Sequence, residues 1–133
     1  MQLYLVATIV FYFFYIMMIG LFMFLKRKKA VQSGEIRMSY FRDYSQEVPS
    51  QLKVISNHFN NQFQVPVFFV MAGILAISLN KVTLTFNILA TLFILSRILH
   101  SIIHLGTNNV LYRAFFFFTG VFIVAAMFVS NLL

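Results

Sequence analysis

The stretch LTFNILATLFILSRILHSIIHL, Leu84 to Leu105, is long and apolar enough to cross a bilayer as a helix, yet it carries Arg97, His100 and His104 at spacing i, i+3, i+7. These three fall along one helical stripe. Insertion scales put the cost of a centrally placed Arg at about 2.5 to 3.5 kcal/mol, so such a group usually faces a polar cavity or a partner rather than lipid. The stripe therefore predicts a cavity inside a membrane-spanning bundle.

Working outward from it, apolar stretches run from Leu3 to Leu25, Val54 to Leu79, Val82 to Leu105 and Val110 to Leu132. Each reaches or exceeds the ~20 residues that a spanning helix needs. A chain of 133 residues that is 61% hydrophobic and 10% charged, with a mean hydropathy of +0.88, has the composition of an integral membrane protein. The predicted fold is all-α: a four-helix transmembrane bundle in one domain over residues 1–133, with a charged loop at about 26–53. The first stretch exceeds a signal-peptide core, has no basic region ahead of it and ends in Lys26-Arg27-Lys28-Lys29, so it is expected to stay as an anchor.

Charge sets the expected topology. All three acids (Glu35, Asp43, Glu47) and seven of the ten basic residues (Lys26, Arg27, Lys28, Lys29, Arg37, Arg42, Lys53) lie between the first and second stretches. By the positive-inside rule this loop is cytoplasmic and both termini face the other side, in a multi-pass protein of the inner or cell membrane. The +7 net charge reads as topology and contact with anionic membrane lipid, and no nucleic-acid partner is assigned. The absence of Cys excludes disulfides, thiolate metal sites and a protein cysteine nucleophile.

Turn signals order the helices. Ser50 or Gln51 follows Pro49 and opens the second helix. Asn80-Lys81 and Gly106-Thr107-Asn108-Asn109 make the short turns between the last three, which must then run antiparallel. Asn57, Asn61 and Gln64 share one face of the second helix at i, i+4, i+7, and Asn60 lies beside them. At ~1.5 Å per residue, Arg97 lies roughly 12 Å inward from Leu105. Arg113 opens the fourth helix at the same side. The opposite half of the bundle holds little that is polar beyond Ser78, Asn80, Lys81 and Ser130. One polar pocket, open to the cytoplasm, is expected.

Each residue also has a plainer reading. The amides serve as interhelical glue, Arg113 snorkels to headgroups and Arg97 pairs with helix-two amides. The aromatic runs Phe11 to Tyr15 and Phe115 to Phe118 read as lipid-facing or packing residues, and Pro66 as a kink within the second helix. His100 and His104 resemble half of a metal site. His58 is the only other imidazole and no carboxylate lies in the predicted membrane region, so no metal is assigned. A pocket with two arginines, histidines and amides but no acid suits an anionic, peptide-like molecule, and its apolar flanks admit a lipophilic co-substrate. That pairing suggests thiol conjugation, since a nearby arginine favours the nucleophilic thiolate.

The segment Arg97-Ile98-Leu99-His100, continuing through His104-Leu105-Gly106 to Arg113-Ala114, resembles a motif of the MAPEG family, the membrane-associated proteins in eicosanoid and glutathione metabolism. The family pattern is Arg-x-x-His-x-x-x-Tyr-Leu-Gly with an Arg nine residues after the Tyr. Asn57 to Pro66 is similar to the family's helix-two signature, Ala-His-x-Asn-x-x-Glu ahead of a Pro. Two registers are open: His58 and Asn60 in line place the acidic position on Phe63, and Asn61 in line places it on Gln64. In the second, Asn61-Gln62-Phe63-Gln64-Val65-Pro66 looks like a bacterial Asn-Gln-Phe-Glu-x-Pro variant. The family's Tyr is His104 here, and its Glu is absent in either register.

The resemblance implies a homotrimer with glutathione as co-substrate, bound between subunits near the cytoplasmic side. By carry-over Arg97 and His100 contact glutathione, Asn61 and Gln64 hold its ends, His104 donates a hydrogen bond and Arg113 acts as the catalytic group that stabilises the thiolate. Asn57, on the same face, completes the binding set. The activity implied is a glutathione transferase or peroxidase acting on lipophilic electrophiles. The alternative is a non-catalytic relative that binds lipid or a partner protein.

Overall fold

The computed structural model describes residues 1–44 and 47–132; Ser45 and Gln46 of the expected loop, and Leu133 at the end of the expected domain, lie outside them. Among these residues six helices form in chain order: α1 Gln2–Gln32, α2 Tyr40–Asp43, α3 Ser50–Asn61, α4 Val65–Ser78, α5 Leu84–Leu105 and α6 Val110–Leu132. Taking α3 and α4 together, four helical segments are long and apolar enough to cross a membrane.

Two expectations need correction. The first helix continues past Leu25 to Gln32, because Lys and Arg propagate a helix well and basic side chains are favoured at its C-terminus. The basic run Lys26 to Lys29 is therefore helical, and the loop after it is shorter than residues 26–53. This loop carries the single turn α2 and is tied down by a small apolar cluster of Ala30, Ile36 and Leu52.

The second span is two helices instead of one kinked helix. Pro66 sits at the second position of α4, where its missing N–H is harmless. In a continuous helix its ring would strike the carbonyl of Gln62. The chain breaks upstream instead, through tight turns in which the Gln62 and Phe63 amides donate to Phe59 and Asn60 carbonyls at 3.0 and 3.1 Å. The Gln62 side chain, 2% exposed, closes the break. Its Oε1 accepts from the Tyr12 hydroxyl at 2.7 Å, and its Nε2 donates to the His58 carbonyl at 3.1 Å.

The turns use residues that tolerate left-handed backbone. Asn80 and Asn108 have φ of 55° and 50° in the two short connections. Thr83 caps α5 by accepting from the Phe86 amide at 3.2 Å, and Asn109 Oδ1 caps α6 by accepting from the Leu111 and Tyr112 amides. The core lies between α1, α4, α5 and α6, with Phe69 and Phe93 stacked at 4.5 Å and Tyr12 edge-on to both. Small residues permit close approach, as expected for helices packing in a bilayer. A Cβ on Gly73 would lie 2.9 Å from Ile9 Cδ1, and one on Gly20 would lie 3.0 Å from Phe59 Cε2. Tyr12 is 1% exposed and belongs to this core, whereas its neighbours Phe11, Phe13 and Phe14 are exposed.

Candidate functional site

The C-terminal end of α3, the break after it, the last turns of α5 and the first turns of α6 meet at one end of the bundle. They enclose a cavity of about 460 Å³, within the range typical of ligand pockets. Asn57, Asn60, Asn61 and Gln64 line one side, His100 and His104 a second, and Arg113, Ala114, Phe117 and Phe118 the third. The basic end of α1 lies at the same end, since Arg27 Nη2 donates to Ser56 Oγ at 2.9 Å. Among the described residues, no acidic side chain lines the cavity.

The break in the second span explains how the amides converge. With α3 ending at Asn61, the single helical face expected for Asn57, Asn61 and Gln64 does not exist. Gln64 reaches the cavity from an irregular backbone position with φ −100° and ψ −102°. Asn57 and Gln64 are exposed in the single chain, and Asn61 is half-buried.

On α5, His100 and His104 are buried at 1% and 2% exposure. His100 Nδ1 lies 3.1 Å from the main-chain carbonyl of Arg113. A carbonyl can only accept, so Nδ1 carries the proton and Nε2 is left as a bare, buried acceptor without a partner among the described residues. The Arg113 side chain is positioned by its Nη1, which donates to Asn108 Oδ1 at 2.9 Å in the turn before α6. Arg113 is half-buried at the cavity wall.

Arg97 occupies a different place from its neighbours on the stripe. It does not line the cavity but lies beneath it, 1% exposed, with its guanidinium carbon 5.6 Å from the ring centre of Phe117 and 6.0 Å from that of Phe93. Nε, Nη1 and Nη2 are all buried and have no hydrogen-bond partner among the described residues. Its main-chain carbonyl accepts from Ser101 Oγ at 2.9 Å, and Ser101 in turn bonds the Tyr15 hydroxyl. A guanidinium in this setting acts on the cavity through its field, which is strong where the dielectric is low.

Three participants stand outside the site set expected from the sequence, where His58 entered only as the third imidazole and as one register of the helix-two signature. His58, fully buried, stacks on His100 at 5.9 Å between ring centres and meets His104 edge-on at 5.1 Å. Gln62 and Tyr12 hold His58 from behind. The spacing of His58 and Gln62 at i, i+4 was visible in the sequence, but nothing there marks Tyr12 as the third member.

No curated protein and no solved structure matches the chain. The family model for the MAPEG family, however, matches residues 4–133, and with the apolar spans and the Arg97, His100, Arg113 set in place the chain belongs to the MAPEG family of integral membrane proteins.

Proposed function

We propose that this protein is a glutathione-dependent transferase or peroxidase acting on lipophilic electrophiles, with glutathione held in the cavity between α3, α5 and α6. The observation that carries the reading is the charge imbalance of that cavity. Among the described residues, Arg113 lines it, Arg97 lies beneath it without a hydrogen-bond partner, and no acid lines the cavity. A buried cation without a counter-charge carries a large desolvation penalty, which a bound anion offsets.

The donor set fits a tripeptide with two carboxylates and a thiol. Asn57, Asn61 and Gln64 offer amide donors and acceptors to its peptide groups, His104 and His100 face it from α5, and Arg97 supplies a positive field from below. When bound, glutathione supplies the thiolate that attacks the electrophile. Arg113, held by Asn108, favours the anionic over the neutral thiol. Phe117 and the exposed Phe118 make the apolar wall, and Phe118 opens it towards lipid, where a greasy substrate dissolves. In this reading three copies assemble, with the exposed Asn57 and Gln64 facing a neighbouring subunit, and the basic end of α1 is cytoplasmic.

Calorimetric titration of glutathione into detergent-solubilised protein tests the proposal, followed by turnover with a lipophilic electrophile. Saturable binding and glutathione-dependent conversion are expected. Lipid binding without glutathione affinity would instead identify a non-catalytic relative that binds lipid or a partner, a reading favoured by Gln64 standing where the family's acid is placed.

A further inference from the structure

We propose that His58, His100 and His104 form a binding site for one first-row divalent transition metal ion of the zinc and copper class, with the fourth coordination position open to the cavity. The site does not depend on glutathione binding and goes beyond the activity proposed above.

One ring nitrogen from each of the three imidazoles lies within 4.8 Å of the others, and all three side chains are buried. A tetrahedral ion with bonds of ~2.0 Å to nitrogen holds its ligands ~3.3 Å apart, so modest ring rotations close the set. Each ring also keeps one buried nitrogen with no hydrogen-bond partner among the described residues: His58 Nδ1, His100 Nε2 and His104 Nδ1. Three imidazole nitrogens without partners so close together are costly unless hydrogen-bond partners or a metal ion satisfy them, because buried polar atoms are nearly always paired.

The surroundings resemble those of a metal-binding histidine. His100 donates its Nδ1 proton to the Arg113 carbonyl, which fixes the tautomer and presents Nε2 as a lone pair; this is the usual outer support of a ligating histidine. His58 is held by Gln62, whose Nε2 sits 3.3 Å from His58 Nε2. That contact is long, and Gln62 keeps its bonds to Tyr12 and the His58 carbonyl when the ring turns. His58 comes from α3, and His100 and His104 from successive turns of α5, so the ring positions are set by two packed helices rather than by a loop.

Ligand chemistry selects the ion. Three neutral imidazoles with no carboxylate suit zinc, copper, nickel or cobalt, and not calcium or magnesium, which require oxygen. Electrostatics select the fourth ligand. Arg97 and Arg113 repel a dication, so the complex needs an anion, a hydroxide or a thiolate, at the open position facing the cavity. Metal affinity is therefore expected to rise when a small thiol is added.

The probe is cobalt(II), titrated into detergent-solubilised protein that carries no polyhistidine tag. One equivalent per chain is expected, with the intense visible bands of a four-coordinate ion that zinc(II) then displaces. His58→Asn and His104→Tyr should each weaken binding by at least ~100-fold, more than the loss of an outer-shell partner. X-ray absorption of the zinc-loaded wild-type protein counts imidazole ligands without any substitution, and three are expected. No saturable cobalt signal on wild-type protein, fewer than three imidazoles, or unchanged affinity in both folded variants would each overturn the site.

Discussion

His100 on α5 donates from Nδ1 to the main-chain carbonyl of Arg113 on α6, at 3.1 Å, across the turn that joins the two helices. This single bond ties the imidazole stripe to the residue that carries the cavity's accessible positive charge. Replacing His100 with Phe removes this hydrogen bond between the two helices, and the net loss of one such bond is about 0.5 to 1.5 kcal/mol. The thermal midpoint of the detergent-solubilised variant is expected to fall accordingly, and His100→Asn, which retains a donor, should recover part of the loss.

Arg113→Ala tests the chemistry rather than the fold. Removing one preorganised group that stabilises developing or resident negative charge typically lowers turnover by ~100- to 1000-fold. Bound glutathione is expected to lose its ultraviolet thiolate absorbance in this variant, with the helical content unchanged. Persistence of the thiolate band would show that another group stabilises it.

Arg97 offers a contrast between stability and function. Its three guanidinium nitrogens are buried without hydrogen-bond partners among the described residues, so in the ligand-free protein the charge is a liability. Exchanging buried charged groups for apolar residues of similar volume is often stabilising by about 1 to 4 kcal/mol. Arg97→Met is therefore expected to raise the thermal midpoint while weakening glutathione binding, as measured by calorimetry. A fall in both would mean that the guanidinium supports the fold.

The positions of these residues differ in how visible they were beforehand. Arg97, His100 and His104 repeat at helical spacing within one span, and Arg113 follows a turn marked by Gly106 and two asparagines, so local periodicity suffices to bring them to one end. The break between α3 and α4 was less accessible. Pro66 announces a disturbance, but whether it kinks a helix or divides it depends on a tertiary replacement for the lost backbone bonds, which Gln62 and Tyr12 supply from different helices. Tyr12 was hidden within an aromatic run whose phenylalanines face outward. Arg97 is held below the cavity, instead of at its wall, between the Phe93 and Phe117 rings, which belong to two different helices.

Gln62→Leu probes that replacement directly. The substitution preserves size but strands the buried Tyr12 hydroxyl and the His58 carbonyl together. Two orphaned buried groups predict a loss of about 2 to 6 kcal/mol, at ~1 to 3 kcal/mol each. Chemical denaturation in detergent should show it, and Tyr12→Phe, which removes only one partner, should lose less. Equal stability in wild-type and Gln62→Leu protein would mean that the break is held by backbone turns alone.

Gln64→Glu addresses the acid that the family places in the second span and this chain lacks. Among the described residues the cavity wall contains amides and cations but no carboxylate to pair with the free amine of a γ-glutamyl group. A carboxylate at the cavity mouth, where Gln64 is exposed, supplies that partner without being buried. A partly exposed charge-assisted pair contributes on the order of 1 kcal/mol, which corresponds to roughly a 5- to 10-fold tighter dissociation constant. The gain should appear with glutathione and vanish with an analogue whose amine is acetylated, both measured by calorimetry. If the acetylated analogue gains equally, the new carboxylate acts on the fold and not on the amine; if neither gains, position 64 lies away from the γ-glutamyl end and the register that aligns Asn61 must be given up for the one that aligns Asn60.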